Sequence, residues 1–156
     1  MADAPNPLLD RMKQILSIAQ GALETDAPGR VHLMPGASPV WDDCCEEGGQ
    51  VWVRVINIVP MAGKVPTCPV LGWRATLGVG TIRCAHVLDD DGNPPTPEEM
   101  TQDTERMTQD LANLGRALLC EAGISSVVNW LPAGPDGGCV GGEWTVTITY
   151  DWCGCG

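Results

Sequence analysis

The sequence predicts a single α+β domain over residues 1–156, in which two helices pack on one face of an antiparallel or mixed sheet. Three observations lead to this prediction: two amphipathic helical segments, a group of β-prone runs between them, and a strongly alternating run after the second helix. Strands that are grouped between helices are typical of α+β folds, in which helices cover one side of the sheet. A chain of this length is also ordinary for one domain.

Two segments carry apolar residues at helical spacing. The first, Leu8–Leu23, follows Asn6-Pro7, which suits a helix N-cap and first turn, and it stops before Pro28-Gly29. The second opens on the capping box of Thr96–Glu99 and ends near Ala122-Gly123. Its predicted buried stripe consists of Met100, Thr104, Met107, Leu111, Leu114 and Leu118. Both helices are therefore expected to pack on the core.

The run Glu143–Trp152 alternates between apolar and polar residues without a break. A period of two is the pattern of a half-buried strand, and its Thr, Val, Ile and aromatic residues favour the pleated backbone. We expect it to pair with Val127–Leu131 across a flexible loop, Pro132–Gly142. Its apolar row should lie at the centre of the core: Trp144, Val146, Ile148, Tyr150 and Trp152.

Three further strands are expected between the helices: Arg30–Met34, Gln50–Val59 and Val70–Leu88, the last one long or bulged. Strict alternation along the second of these would place Val51, Val53 and Val55 on one face, and Trp52, Ile56 and Ile58 on the other with Arg54. Two largely apolar faces indicate a strand that is buried on both sides or lies in a subunit interface.

The chain is strongly acidic, with 9 basic and 20 acidic residues and a formal net charge of −11. Such a surface repels phosphate backbones and anionic lipid, so neither stable nucleic-acid binding nor membrane docking is expected. The N-terminus lacks the pattern of a signal peptide, so folding in a cytosol is expected. Two acidic clusters lie in predicted turns. One consists of Asp42, Asp43, Glu46 and Glu47, and the other of Asp89, Asp90 and Asp91. Each cluster is either an ordinary solvated loop or the lining of a channel or rim.

The chain contains eight cysteines. In a cytosol they would be reduced thiols that pack as small apolar groups. A disulfide that links the Cys44-Cys45 loop to Cys153 or Cys155 after lysis is the second interpretation. A zinc site is less favoured, because no Cys-x-x-Cys occurs and adjacent cysteines are poorly suited to joint chelation. The sequence therefore predicts no metal ion and no cofactor.

Catalysis is not expected from the residue patterns. The chain has two histidines, His32 and His86. His86 lies two residues after Cys84, so Cys84 and His86 would face the same side of a strand. Nucleophilic catalysis needs a nucleophile, a base and a group that orients the base. A cysteine and a histidine that lie close in sequence are mostly an incidental pair. No Gly-x-Ser-x-Gly, His-Glu-x-x-His or phosphate-binding loop is present. We therefore expect a protein that is not an enzyme.

The order of elements resembles the tail terminator family of long-tailed, lambda-type bacteriophages. The likeness covers most of the chain and rests on the arrangement of segments. They are the amphipathic helix Leu8–Leu23, the short strand and turn Arg30–Gly36, the acidic loop Asp42–Glu47 leading into Val51–Val59, the Trp-x-Ala-Thr-Leu strand Trp73–Leu77, the second helix Thr96–Ala122 and the closing strand Trp144–Asp151. The richness in Trp, Gly and Cys is also similar to head-to-tail proteins of phages that infect actinobacteria.

The resemblance implies a structural virion protein that assembles in the host cytoplasm. Members of the family form a homohexameric ring that caps the tail tube, contacts the major tail tube protein and the head–tail connector or stopper, and lets DNA pass without specific binding. The family has no catalytic residues to transfer to this sequence. Two alternatives remain: another connector or stopper protein of the same virion neck, and a cysteine-rich metal-binding or redox module.

Overall fold

The computed structural model describes residues 6–36, 44–65, 68–124 and 126–151. It contains two α-helices and five strands, interrupted by short helical turns at Glu24–Asp26, Glu46–Gly48 and Ala117–Glu121. In chain order the elements are α1 (Pro7–Ala22), β1 (Arg30–Met34), β2 (Gln50–Val65), β3 (Cys68–Cys84), α2 (Pro97–Arg116), β4 (Ser126–Asp136) and β5 (Cys139–Tyr150). The predicted α+β class is confirmed.

The five strands form one mixed sheet in the order β1-β2-β3-β5-β4. Only β1 and β2 run parallel, and β2–β3 and β4–β5 are antiparallel hairpins. The predicted pairing of the closing strand is confirmed, because Val127 lies opposite Val146 and Leu131 lies opposite Glu143. Trp152, the last residue of that predicted strand, is outside the described residues.

Both helices pack on the same face of the sheet, as predicted. Ile15 of α1 and Leu114 of α2 are fully buried against strand residues such as Leu77. Burying a side chain of this size is worth about 1.5–3 kcal/mol, so these contacts carry much of the stability of the fold. The main core consists of Met12, Ile15, Ala19, Leu23, Val51, Val53, Ala75, Leu77, Val79, Leu114, Leu118, Ala122, Ile124, Val146 and Ile148.

The predicted buried stripe of the second helix is wrong in its N-terminal half. The capping box is present, since Thr96 Oγ1 accepts from the Glu99 N–H and the Glu99 carboxylate accepts from the Thr96 N–H. Met100, however, is 52% exposed, and Thr104 is also exposed. This half of α2 lies beside the segment between β3 and α2, where Asp103 binds His86. Met100 and Thr104 line an open cavity there together with Val140 of β5, so they stay accessible to solvent.

The predicted faces of β2 are wrong beyond Val55 because a β-bulge interrupts the alternation. The register with β3 shifts between Val55 and Asn57, so Ile58 lies opposite Ala75. Ile58 therefore shares the helix-side face of the sheet with Val53 and does not lie with Trp52. One inserted residue is enough to exchange the faces of every residue that follows it.

Other predicted boundaries also differ. β2 continues to Val65 and does not end at Val59, and β3 begins at Cys68 and not at Val70. β3 ends at Cys84 and does not continue to Leu88. Most of the predicted loop Pro132–Gly142 is strand, because β4 continues to Asp136 and β5 begins at Cys139 around a tight glycine turn at Gly137-Gly138. The prolines of this run misled the prediction: β4 is an edge strand, on which the missing N–H of proline need not break the ladder.

Candidate functional site

The outer part of β2 forms an open sheet edge. β1 covers β2 only from Gln50 to Arg54, and from Val55 to Val65 the described residues pair β2 with β3 alone. Three large apolar side chains of this stretch are exposed: Ile56 (42%), Ile58 (39%) and Val59 (40%). We call Val55–Val65 the open β2 edge.

The second edge is β4, which is the last strand on the opposite side of the sheet among the described residues. Its apolar residues Val128 and Leu131 are 63% and 51% exposed. An unpaired strand presents a row of N–H and C=O groups, and monomeric proteins usually protect such edges with charged side chains. The open β2 edge carries one charged residue, Lys64, and β4 carries one, Asp136. Prolines and register shifts interrupt both edges, at Pro60 in β2 and at Pro132 and Pro135 in β4. Both edges nevertheless offer exposed apolar side chains to another chain.

A buried ion pair holds β2 to β5 on the face of the sheet that the helices leave uncovered. The Glu143 carboxylate accepts from Arg54 Nε at 2.7 Å and Arg54 Nη2 at 2.6 Å, and also from the indole N–H of Trp52 at 2.8 Å. The side chains of Arg54 and Glu143 are only 11% and 7% exposed. Because one carboxylate of β5 binds two side chains of β2, these hydrogen bonds hold β2 in place next to the start of its open edge.

Glycines in β3 make room for that ion pair. β3 lies between β2 and β5, so Glu143 must reach across it to Arg54 and Trp52. A Cβ at Gly78 would overlap the Glu143 carboxylate, and a Cβ at Gly80 would stand 2.5 Å from the Trp52 ring. Glycine at both positions therefore permits the close approach of side chains from the neighbouring strands.

A second buried ion pair lies on the helix side of the same strand. Arg83 donates to both Asp110 oxygens, from Nε at 2.6 Å and from Nη2 at 3.0 Å. Its remaining nitrogen donates to the Asp26 carbonyl at 2.6 Å and to the Gly48 carbonyl at 3.3 Å. Arg83 thereby ties α2 to the turn after α1 and to the turn before β2.

Neither a scan against models of known protein families nor a search of curated proteins finds a match to this chain.

Four cysteines meet at the end of the sheet that includes Arg83. Cys44 is bonded to Cys139 and Cys45 to Cys84, with Cα–Cα distances of 5.8 Å and 4.4 Å. The expected bridge from Cys44 or Cys45 to the chain end is therefore wrong, because both sulfurs are bonded to strand termini. Cys153 and Cys155 themselves lie outside the described residues, and Cys120 is a free, exposed thiol.

The two acidic clusters lie near this same end of the sheet. Glu46 and Glu47 are exposed in the turn before β2, which the Cys45–Cys84 bond ties to the end of β3. The second cluster lies in an exposed turn a few residues after Cys84, the end of β3, and consists of Asp89, Asp90 and Asp91. Asp42 and Asp43 lie outside the described residues. Whether any of these acids faces a channel stays a prediction.

Asp89 has a structural role that its two neighbours do not share. Its carboxylate accepts from the Asn93 side chain at 2.9 Å, from the Asn93 backbone N–H at 2.8 Å and from the Asp91 N–H at 3.0 Å. These hydrogen bonds, first those from Asn93, hold the pKa of Asp89 below its ordinary value. Asp89 therefore shapes the turn, and Asp90 and Asp91 are the residues whose charge can be changed without removing those bonds.

The possible Cys84–His86 pair is not formed. The Cys84 sulfur is bonded to Cys45, and His86 Nδ1 lies 3.0 Å from an Asp103 oxygen on α2. In their disulfide form, the described residues contain no group of three or more side chains that could hold a metal ion. Within the described chain, neither helix combines the length and the apolar character that crossing a bilayer requires.

Sequence patterns alone assign no role to Glu143, Arg83 or Asp110, although a signal is present. Arg54 and Arg83 interrupt β-prone apolar runs, and Glu143 opens the closing strand. Charged residues are almost never fully buried unless they are paired, so a charge within a predicted core strand implies a partner. The pairing of each acid with its arginine depends on the order of the strands in the sheet. That order could not be predicted from the sequence alone.

Proposed function

We propose that this chain is a tail terminator: a structural virion protein that forms a homohexameric ring, caps the tail tube and joins it to the head connector or stopper. The observation that carries the proposal is the open β2 edge with its exposed Ile56, Ile58 and Val59. The resemblance in the order of elements supports it independently. DNA passing through such a ring would meet an acidic protein that does not retain it.

The two sheet edges favour a ring over a two-fold dimer. The open β2 edge and β4 lie on opposite sides of the sheet and differ in sequence. If β2 of one copy pairs with β4 of the next, every copy uses two different surfaces. Such heterologous contacts close into a ring when the rotation between copies closes. Strand pairing between copies would then link neighbouring sheets, with interruptions at Pro60, Pro132 and Pro135, which have no N–H to donate.

Native mass spectrometry of the purified protein tests the assembly, and we expect a hexamer. The Ile56→Lys/Val59→Lys variant should disable the open β2 edge, and Val128→Lys/Leu131→Lys should disable β4. Each variant alone should remain monomeric, because every junction of the ring needs both edges. Leu119→Lys is the control and should still form rings. Leu119 is 53% exposed, within the range of the four changed residues, but lies outside both edges.

Mixing the two disabled variants separates the possible arrangements. One keeps an intact β4 and the other an intact β2 edge, so a heterologous ring predicts heterodimers that grow no further. If β2 pairs with β2 in an isologous contact, only the β2 variant loses assembly. A wild-type protein that stays monomeric at high concentration, with its fold intact, contradicts the proposal.

The position in the virion needs a second assay. A tail terminator should bind the end of tubes formed by the major tail tube protein of the same genome and stop their growth, which electron microscopy measures as shorter, capped tubes. A ring that binds only the head connector and leaves tube growth unchanged would instead identify another connector or stopper of the neck.

A further inference from the structure

Four cysteine sulfurs converge at one end of the sheet. Cys84 ends β3, Cys139 begins β5, and the two residues lie directly opposite each other in the strand register. Cys44 and Cys45 are adjacent in the segment before β2, and each is bonded to one of the strand cysteines. The Cys44 and Cys45 sulfurs are themselves 4.0 Å apart. Three distant parts of the chain thus place all four sulfurs in one cluster, which we call the four-cysteine cluster.

The known separations between these sulfurs are compatible with a tetrahedral thiolate site. Zinc binds thiolate sulfur at about 2.3 Å with tetrahedral geometry, which puts neighbouring sulfurs roughly 3.8 Å apart. The Cys44 and Cys45 sulfurs already stand near that distance. Two sulfurs released from a disulfide move apart to van der Waals contact, which is about the same separation. After reduction, the Cys44–Cys139, Cys45–Cys84 and Cys44–Cys45 sulfur separations would therefore all be near the edge length of such a tetrahedron.

The surroundings of the cluster suit a structural metal site. Cys44 and Cys139 are each 2% exposed and pack with Trp52 and Ile82 on the uncovered face of the sheet. Cys45 and Cys84 are exposed. The buried half holds the sulfurs in place and excludes water, and the exposed half admits a reductant and an ion. Adjacent cysteines are by their spacing poorly suited to joint chelation. In this fold, however, the sulfurs of Cys44 and Cys45 lie close together beside the two strand cysteines.

We propose that the four-cysteine cluster has a second state, in which the reduced cysteines bind one Zn²⁺ as four thiolates. A cellular thiol supplies the electrons: each protein disulfide takes two electrons and two protons from two external thiols, giving two cysteine thiols and one external disulfide. Zn²⁺ then replaces the protons of the four thiols, which are released to water. Cytosolic thiol pools keep protein cysteines reduced, so this state belongs to assembly, and the disulfides belong to oxidising surroundings.

Metal content and cobalt spectroscopy test the proposal on the full chain. Protein purified in a phosphine reductant with zinc present, and then passed through a desalting column, should hold one zinc per chain, whereas the oxidised protein should hold none. Co²⁺ in place of Zn²⁺ should give the intense ligand-field bands and sulfur charge-transfer bands of a tetrahedral four-thiolate site. Cys84→Ser and Cys139→Ser should each lose the stoichiometric zinc.

The other four cysteines provide the control. The Cys68→Ser/Cys120→Ser/Cys153→Ser/Cys155→Ser variant should keep one zinc and the same cobalt spectrum. Loss of zinc in this variant, or its retention in Cys84→Ser, would overturn the assignment. Should a single variant fail to fold, the wild type still decides, because substoichiometric zinc or an octahedral cobalt spectrum in the reduced wild-type protein also refutes the proposal.

Discussion

At the scale of single residues, Glu143 is the group on which the uncovered face of the sheet depends. Its carboxylate accepts hydrogen bonds from Arg54 and Trp52 across β3, where Gly78 and Gly80 have no side chains that would block the contact. Removing one member of a buried ion pair leaves the other charge without compensation, which costs about 3–5 kcal/mol. The pair therefore matters most when only one of its members is changed.

We predict that Glu143→Leu and Arg54→Met each destabilise the fold by about 3 kcal/mol, and that the double variant loses less than the sum of the two. The double variant should still be less stable than the wild type, because Trp52 loses its acceptor. Urea unfolding at one fixed protein concentration measures these changes. Glu105→Gln, on an exposed part of α2, is the control and should stay within about 0.5 kcal/mol. Additive losses would contradict the coupling.

At the scale of elements, local signals predicted helices and strands well, and their limits have physical causes. The capping box and Pro97 marked the start of α2 in the sequence. The capping box supplies acceptors for N–H groups of the first turn, and proline has no N–H that needs one, so no distant part of the chain is involved. The faces of β2 beyond Val55 could not be predicted, since a bulge depends on pairing with the partner strand. The exposure of Met100 likewise depended on tertiary structure, because Met100 lines an open cavity between α2 and the segment that follows β3.

The cap itself can be tested. Thr96→Ala removes the side-chain acceptor of the Glu99 N–H and leaves that donor without its partner. We expect a loss of about 1 kcal/mol in the free energy of unfolding. Thr101→Ala is the matched control: Thr101 is exposed in the same helix and bonds only back to the Pro97 carbonyl, so alanine there should be neutral or slightly stabilising. Equal losses at both positions would mean that the capping bonds contribute nothing specific.

At the scale of the whole molecule, the fold class followed from the order of segments, whereas the cysteine pairing did not. Eight cysteines allow many connectivities, and proximity in the fold selects among them. The loop before β2 meets the ends of β3 and β5 only after the sheet has formed, so Cys44 and Cys45 could not be matched to Cys139 and Cys84 beforehand. The open edges are likewise a property of strand order.

The acidic end of the molecule leads to the last prediction, which rests on the proposed ring. A channel lined by carboxylates repels the phosphate backbone and lets duplex DNA slide, whereas each Lys or Arg contact with a phosphate adds affinity through counterion release. Asp90 and Asp91 are the exposed acids to change, because Asp89 is needed for the turn. We expect Asp90→Lys/Asp91→Lys to leave ring assembly intact.

If that turn faces the channel, the variant ring should bind duplex DNA at moderate salt and slow DNA ejection, and its affinity should fall steeply as salt is raised. Filter binding across a salt series measures this. Glu98→Lys/Glu105→Lys makes the same change of charge on the exposed surface of α2, and it controls for net charge alone. Equal DNA binding by both variants would place Asp90 and Asp91 on an ordinary outer surface, and tight binding by the wild-type ring would rule out a repelling channel altogether.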